Sequence, residues 1–106
     1  MECIRHGDLL FVRTNKKNVV GAKTKRDNGR LILAYGEVTG HAHAIKDKEG
    51  VDLIKDSSGK EFLSVQKKDG ADLHHEEHAT VHFDKGVWEM KRQREYSPEE
   101  IRRVLD

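Results

Sequence analysis

Residues 51–68 read VDLIKDSSGKEFLSVQKK, and this stretch decides the fold class. Val51 and Leu53 alternate with Asp52 and Lys55. The Asp56-Ser57-Ser58-Gly59 cluster then breaks the run, and Phe62, Leu63 and Val65 resume it. Apolar residues at a spacing of two on both sides of a turn cluster specify a β-hairpin.

The same grammar extends in both directions. CIRHGDLLFVRT reads as a strand broken by a turn at His6-Gly7-Asp8. Residues 15–30, NKKNVVGAKTKRDNGR, are too polar to bury much and read as a long loop with at most a weak strand, ending in the turn residues Asp27-Asn28-Gly29. LILAYGEVTGHAHAIK, residues 31–46, is the most apolar run and divides into two strands near Gly36 or Gly40. Val81 and Phe83, a turn at Asp84-Lys85-Gly86, and Val87, Trp88 and Met90 predict a second hairpin with a shielded Trp88. Only SPEEIRRVLD is helical in pattern. Ser97 stands at the N-cap, Pro98 at the first helical position and Glu100 where it closes a capping box. The expected fold is therefore mainly β: a small antiparallel β-barrel or sandwich-like body with one short C-terminal α-helix, in a single domain over residues 1–106.

Composition bounds the function. Charged residues, 37%, outnumber hydrophobic ones, 35%, so the core is thin and the sheets expose much polar surface. A net charge of +1 removes the overall electrostatic footprint of a dedicated nucleic-acid binder. Cys3 is alone, which excludes an internal disulfide and a thiolate-based structural zinc site; it reads as a small buried hydrophobe. No leader pattern and no run near the roughly 18 apolar residues of a membrane span is present, so a cytoplasmic location is expected and no membrane role.

The histidines carry the chemistry. Five of the seven fall in HAH and HHEEH, and His82 lies just beyond. On a strand, His41 and His43 share a face roughly 7 Å apart, a spacing from which two imidazoles converge on one cation. Strand parity splits the second cluster, with His75 and Glu77 on the parity of Val81 and Phe83, and His74, His78 and His82 on the other. The turn at Asp69–Asp72 leaves HHEEH free to form an irregular corner in which His75 and His78 both turn inward. His74-His75-Glu76-Glu77-His78 also spells H-x-x-E-H, but the long helix that an inverted zinc-protease motif needs has no support here.

The expected metal ligands are His41, His43, His75 and His78, with His74 and His82 as substitutes, around a divalent transition metal, zinc or iron. Glu77 is the best carboxylate for the site, with Glu37 behind it. Gln93, Arg94 and Tyr96, in KRQREY, are the expected catalytic partners: an arginine to hold an anionic small-molecule substrate, a glutamine to orient water, and a tyrosine to supply a proton.

The combination of LAYGEVTGHAHAI, HEEHATVHFDKGVWEMKRQREY and the GDLLFV strand resembles a group of small uncharacterised bacterial and phage proteins sharing G-E-x-T-G-H-x-H, H-x-E-H and R-Q-R-E-Y elements. Gly40, His41, His43, His75, Glu77, His78, Arg92, Gln93, Arg94, Glu95 and Tyr96 match those elements. The resemblance implies no activity. There is a looser likeness to cupins, β-barrels that bind metal through His-x-His and a later histidine, but Glu49 is poorly placed for the cupin glutamate.

Three functions follow as expectations. The first is a metal-binding β protein serving as a metal-dependent hydrolase or oxygenase. The second is a non-catalytic interaction module that meets a protein or nucleic acid through Lys16, Lys17, Lys23, Lys25 and Arg26. The third is a metal-free enzyme that cleaves phosphodiesters with a histidine base and Arg94.

Overall fold

A computed structural model describes residues 2–35 and 41–92. Within them the chain forms ten strands: β1 (Cys3–His6), β2 (Leu9–Arg13), β3 (Ala22–Lys23), β4 (Leu31–Tyr35), β5 (Ala42–Ile45), β6 (Val51–Lys55), β7 (Glu61–Val65), β8 (Ala71–His74), β9 (Val81–Phe83) and β10 (Gly86–Arg92). They build a six-stranded sheet in the order β1-β2-β10-β7-β6-β3 and a four-stranded sheet in the order β4-β5-β8-β9. Every strand pairing is antiparallel. The fold is thus mainly β and sandwich-like, as the alternation predicts; the helix expected from Ser97 lies outside the described residues.

The predicted hairpin is β6–β7, with Leu53 opposite Leu63. Its turn is held by one carboxylate: Asp56 Oδ1 accepts from the Ser58 amide, the Ser58 hydroxyl and the Lys60 amide. These bonds, the Ser58 hydroxyl foremost, hold the Asp56 carboxyl below its usual range. At the loop before β4, Asn28 and Gly29 take φ of +53° and +82° and Asp27 bridges Arg30, the turn chemistry that Asp-Asn-Gly encodes.

The core fills the space between the sheets. Phe11, Leu63, Trp88 and Met90 from one sheet meet Leu31, Leu33, Ile45, Leu73 and Phe83 from the other. The Phe83 ring stands 4.7 Å from that of Phe11 and 5.2 Å from that of Trp88, both edge to face, so it joins the layers. Trp88 is fully shielded, and its Nε1–H donates to the Asp84 carbonyl at 3.1 Å.

Two expectations are corrected. β9 and β10 are not a hairpin: β9 pairs with β8 in the small sheet, while β10 lies between β2 and β7 in the large one. The Asp84–Gly86 turn carries the chain across the sandwich, with Gly86 at φ +150° and the Trp88 ring drawn into the core. Cys3 is exposed rather than buried, because β1 is an edge strand and the residue points away from the core-facing parity of Ile4 and His6.

Removing the aromatic bridge tests this packing. Phe83→Ala is expected to destabilise the protein by about 3–5 kcal/mol in urea unfolding followed by Trp88 emission, with native emission blue-shifted in the parent. A loss below about 1 kcal/mol would show that the sheets do not meet at this ring.

Candidate functional site

Strand parity delivers two histidines to one end of the space between the sheets. His6 follows Ile4 on the core-facing side of β1, and His43 precedes Ile45 on the core-facing side of β5. Both are buried, at 2% and 5% exposure. A register shift between Ile32 and Ala34 sets Ala34 opposite His43 while Leu31 stays opposite Ile45. That irregularity lets the end of the strand turn its imidazole toward β1.

The HHEEH corner supplies the other rings. β8 ends at His74, and residues 75–80 form an irregular loop before β9, so period-two parity no longer applies. Glu76 pins this loop to β5: its Oε2 accepts from the Ala42 amide at 3.0 Å, and that bond holds its carboxyl below the usual range. His75 Nδ1 accepts from the Glu77 amide at 3.0 Å.

Four rings gather as a result. The centroid distances are His6–His43 4.9 Å, His6–His75 6.1 Å, His6–His78 5.6 Å, His43–His75 4.4 Å, His43–His78 5.9 Å and His75–His78 4.7 Å. These six edges of similar length describe a somewhat irregular tetrahedron of imidazoles. Gly7 makes room for it. A Cβ at this position would fall 2.8 Å from His43 Cε1 and 2.9 Å from His78 Nε2, and the residue takes φ +62°. Any side chain would therefore be strained in backbone and would displace two rings.

Hydrogen bonds fix the protons. His6 Nε2 lies 3.0 Å from the Ala79 carbonyl, which can only accept, so Nε2 carries the hydrogen. In the neutral ring Nδ1 is then a bare acceptor, and the 2.8 Å contact to His43 Nδ1 must be a donation from His43. His43 Nε2 is left with a free lone pair. Burial pushes His43 down to about 4, with the imidazoles of His6, His75 and His78 adding to it and Asp8 opposing. Burial also lowers His6, against the opposing bond to Ala79. Among the described residues, no three His, Cys, Asp or Glu side chains are placed to hold one ion as the rings stand. The nitrogens are turned toward one another and toward the backbone.

The other candidates sit around this cluster. His41 approaches only its rim, 5.9 Å from the His75 ring. Its Nδ1 is buried without a hydrogen bond, and Glu77 Oε1, 3.2 Å away, lies off the N–H direction. Glu77 is exposed and partners His41. His74 Nδ1 contacts the Thr80 hydroxyl at 3.2 Å. His82 is directed elsewhere: its Nδ1 is 2.7 Å from Asp72 Oδ1, which raises its pKa. Arg92 makes a two-pronged bond to Glu61, both contacts 3.0 Å. Gln93, Arg94, Glu95 and Tyr96, with Glu37 and Gly40, lie outside the described residues.

The side chains of the basic segment have different surroundings. Arg26 turns inward to the carbonyls of Gly29, Asp47 and Val51, and Lys23 sits 3.6 Å from Asp52, while Lys16 and Lys17 border an open groove with Lys85.

Sequence reasoning missed His6, Gly7 and Glu76. Only the shared parity of Ile4 and His6 pointed to the first of them. No helix among the described residues is long and apolar enough to cross a membrane.

Residues 5–93 match the family described as a domain of unknown function, DUF8820. The chain belongs to the DUF8820 family. The match runs from the second half of β1 through β10 and includes every histidine named above. No curated protein and no solved structure matches the chain.

The lowered histidines set a pH dependence. Between about 6.5 and about 4 the folded DUF8820 domain binds fewer protons at His43 than the unfolded chain, so stability is complete above about 6.5 and is lost as pH falls toward about 4. For His43 alone the loss is on the order of 3 kcal/mol. Chelator-treated protein is expected to melt at progressively lower temperature as pH falls from about 6.5 toward about 4, with a shallower slope in His43→Gln. Equal slopes in the two proteins would contradict the assignment.

Proposed function

We propose that the histidine cluster is a metal centre, with His6, His43, His75 and His78 as the ligands of one divalent transition ion. The observation that carries this reading is the set of six centroid distances, 4.4–6.1 Å. An ion bonded to four imidazole nitrogens at roughly 2.0–2.1 Å with tetrahedral angles holds the ring centroids roughly 5 Å apart. The observed ring separations support the reading because they are close to that value. Loading needs ring rotations and an opening of the His6–His43 nitrogen contact by roughly half an ångström.

The donor set chooses between zinc and iron. A carboxylate ligand would favour iron, but Glu76 is engaged by the Ala42 amide and Glu77 accompanies His41, leaving four neutral imidazoles, which suit zinc. His6 would ligate through Nδ1 while its Nε2–H stays on the Ala79 carbonyl, the outer bond that commonly orients a ligating histidine. His41 and Glu77 form the rim rather than the ligand shell.

A second reading has one observation in its favour. The 2.8 Å bond between His6 and His43 leaves a bare Nε2 on a ring kept neutral, as a metal-free general base requires. Zinc titration of chelator-stripped protein separates the two. The metal reading expects one ion per chain, a raised melting temperature, and loss of both in His6→Ala, His43→Ala or His75→Ala. The His6→Ala/His43→Ala double variant should lose little more than either single one, since both remove the same ion. No retained metal, with melting temperature indifferent to zinc, would leave the metal-free base.

A further inference from the structure

The four rings are not held alike. His6 and His43 are buried, at 2% and 5% exposure, and each is fixed by a hydrogen bond; His75 is half-buried and accepts from the Glu77 amide. His78 is exposed, as are its neighbours Glu76, Glu77, Ala79 and Thr80. Among the described residues it is the one member of the four that makes no hydrogen bond. Its Nε2 lies against the open space left by Gly7. Two ligands thus sit buried on strands and His75 half-buried at the start of the loop, whereas His78 stands exposed farther along it.

Charge points the same way. Four neutral imidazoles leave the full double charge of a divalent ion uncompensated among its proposed ligands; Asp8 is felt at His43 as a nearby charge, and Glu77 sits by His41. A site with buried, unneutralised positive charge favours an anionic donor over a neutral one.

We propose that His78 is the exchangeable ligand of this centre, and that a small anion carrying an oxygen or nitrogen donor takes its place. The inference rests on the metal reading above. In the exchange one His78–metal bond breaks and one anion–metal bond forms; no electron is transferred, and the imidazole leaves neutral to solvent. With three fixed histidines and one replaceable position, the centre has the ligand arrangement of catalytic rather than purely structural sites, and its substrate class is a small anionic molecule.

Cobalt(II)-loaded protein titrated with azide reports this directly through the visible d–d bands. The parent is expected to load one cobalt per chain and to shift its spectrum saturably with azide. His78→Ala should keep its cobalt and bind azide roughly tenfold tighter or more, because the competing imidazole is gone. His43→Ala should fail to hold cobalt. Spectra indifferent to azide in both the parent and His78→Ala, or loss of cobalt from His78→Ala as complete as from His43→Ala, would overturn the proposal while leaving the metal centre standing. A parent that binds no cobalt would overturn both. Matching far-UV circular dichroism of parent and variants, with His78 on an exposed loop, separates lost binding from lost folding.

Discussion

His6 Nδ1 and His43 Nδ1 lie 2.8 Å apart, and two ring nitrogens at that distance can share one proton but not carry two. Because the Ala79 carbonyl fixes the other proton of His6, the direction of the shared bond is set, and His43 presents its remaining lone pair at Nε2. Burial disfavours a charge on either imidazole, and the rings of His75 and His78 beside them add to that effect. The surrounding structure accommodates this constraint. Gly7 gives up its side chain, Glu76 anchors the loop, and β5 shifts register against β4 so that His43 faces β1.

The energetic consequence is that the histidine cluster costs the fold stability. Burying polar rings that water would otherwise solvate opposes folding, and each added proton would oppose it further. The cation proposed above would invert this balance, since the lone pairs that repel protons are the donors an ion needs. The core and the histidine cluster then differ in kind. The interior is closed by Phe11, Phe83 and Trp88, which need no partner, whereas the end at His6 and His43 is closed by groups with unused coordinating capacity.

Much of the fold was legible because alternation and turn chemistry are local. Val51 to Val65 encodes its own hairpin, and Asp27-Asn28-Gly29 its own turn. The β9–β10 error shows the limit: a turn cluster between two apolar runs says that the chain reverses or bends, not which sheet the next strand enters. That choice was made by Trp88 and by the vacancy between β2 and β7, far away in sequence. The site divides in the same way. His43, His75 and His78 announced themselves by clustering, while His6 stood alone, 37 residues from the ring it touches. Its neighbour Gly7 read as an ordinary turn glycine, although it also clears space for two imidazoles. His41, the partner suggested by the His-x-His spacing, reaches only the rim beside Glu77.

The central claim is that four imidazoles from β1, β5 and the β8–β9 loop surround one ion. X-ray absorption at the zinc edge of the loaded protein tests it most directly, since imidazole rings give a distinctive multiple-scattering pattern. The account predicts a shell of four nitrogen donors at roughly 2.0–2.1 Å with four-imidazole scattering, falling to three imidazoles and one lighter donor in His78→Ala. A shell dominated by carboxylate or water oxygen, with one imidazole or none, would contradict it.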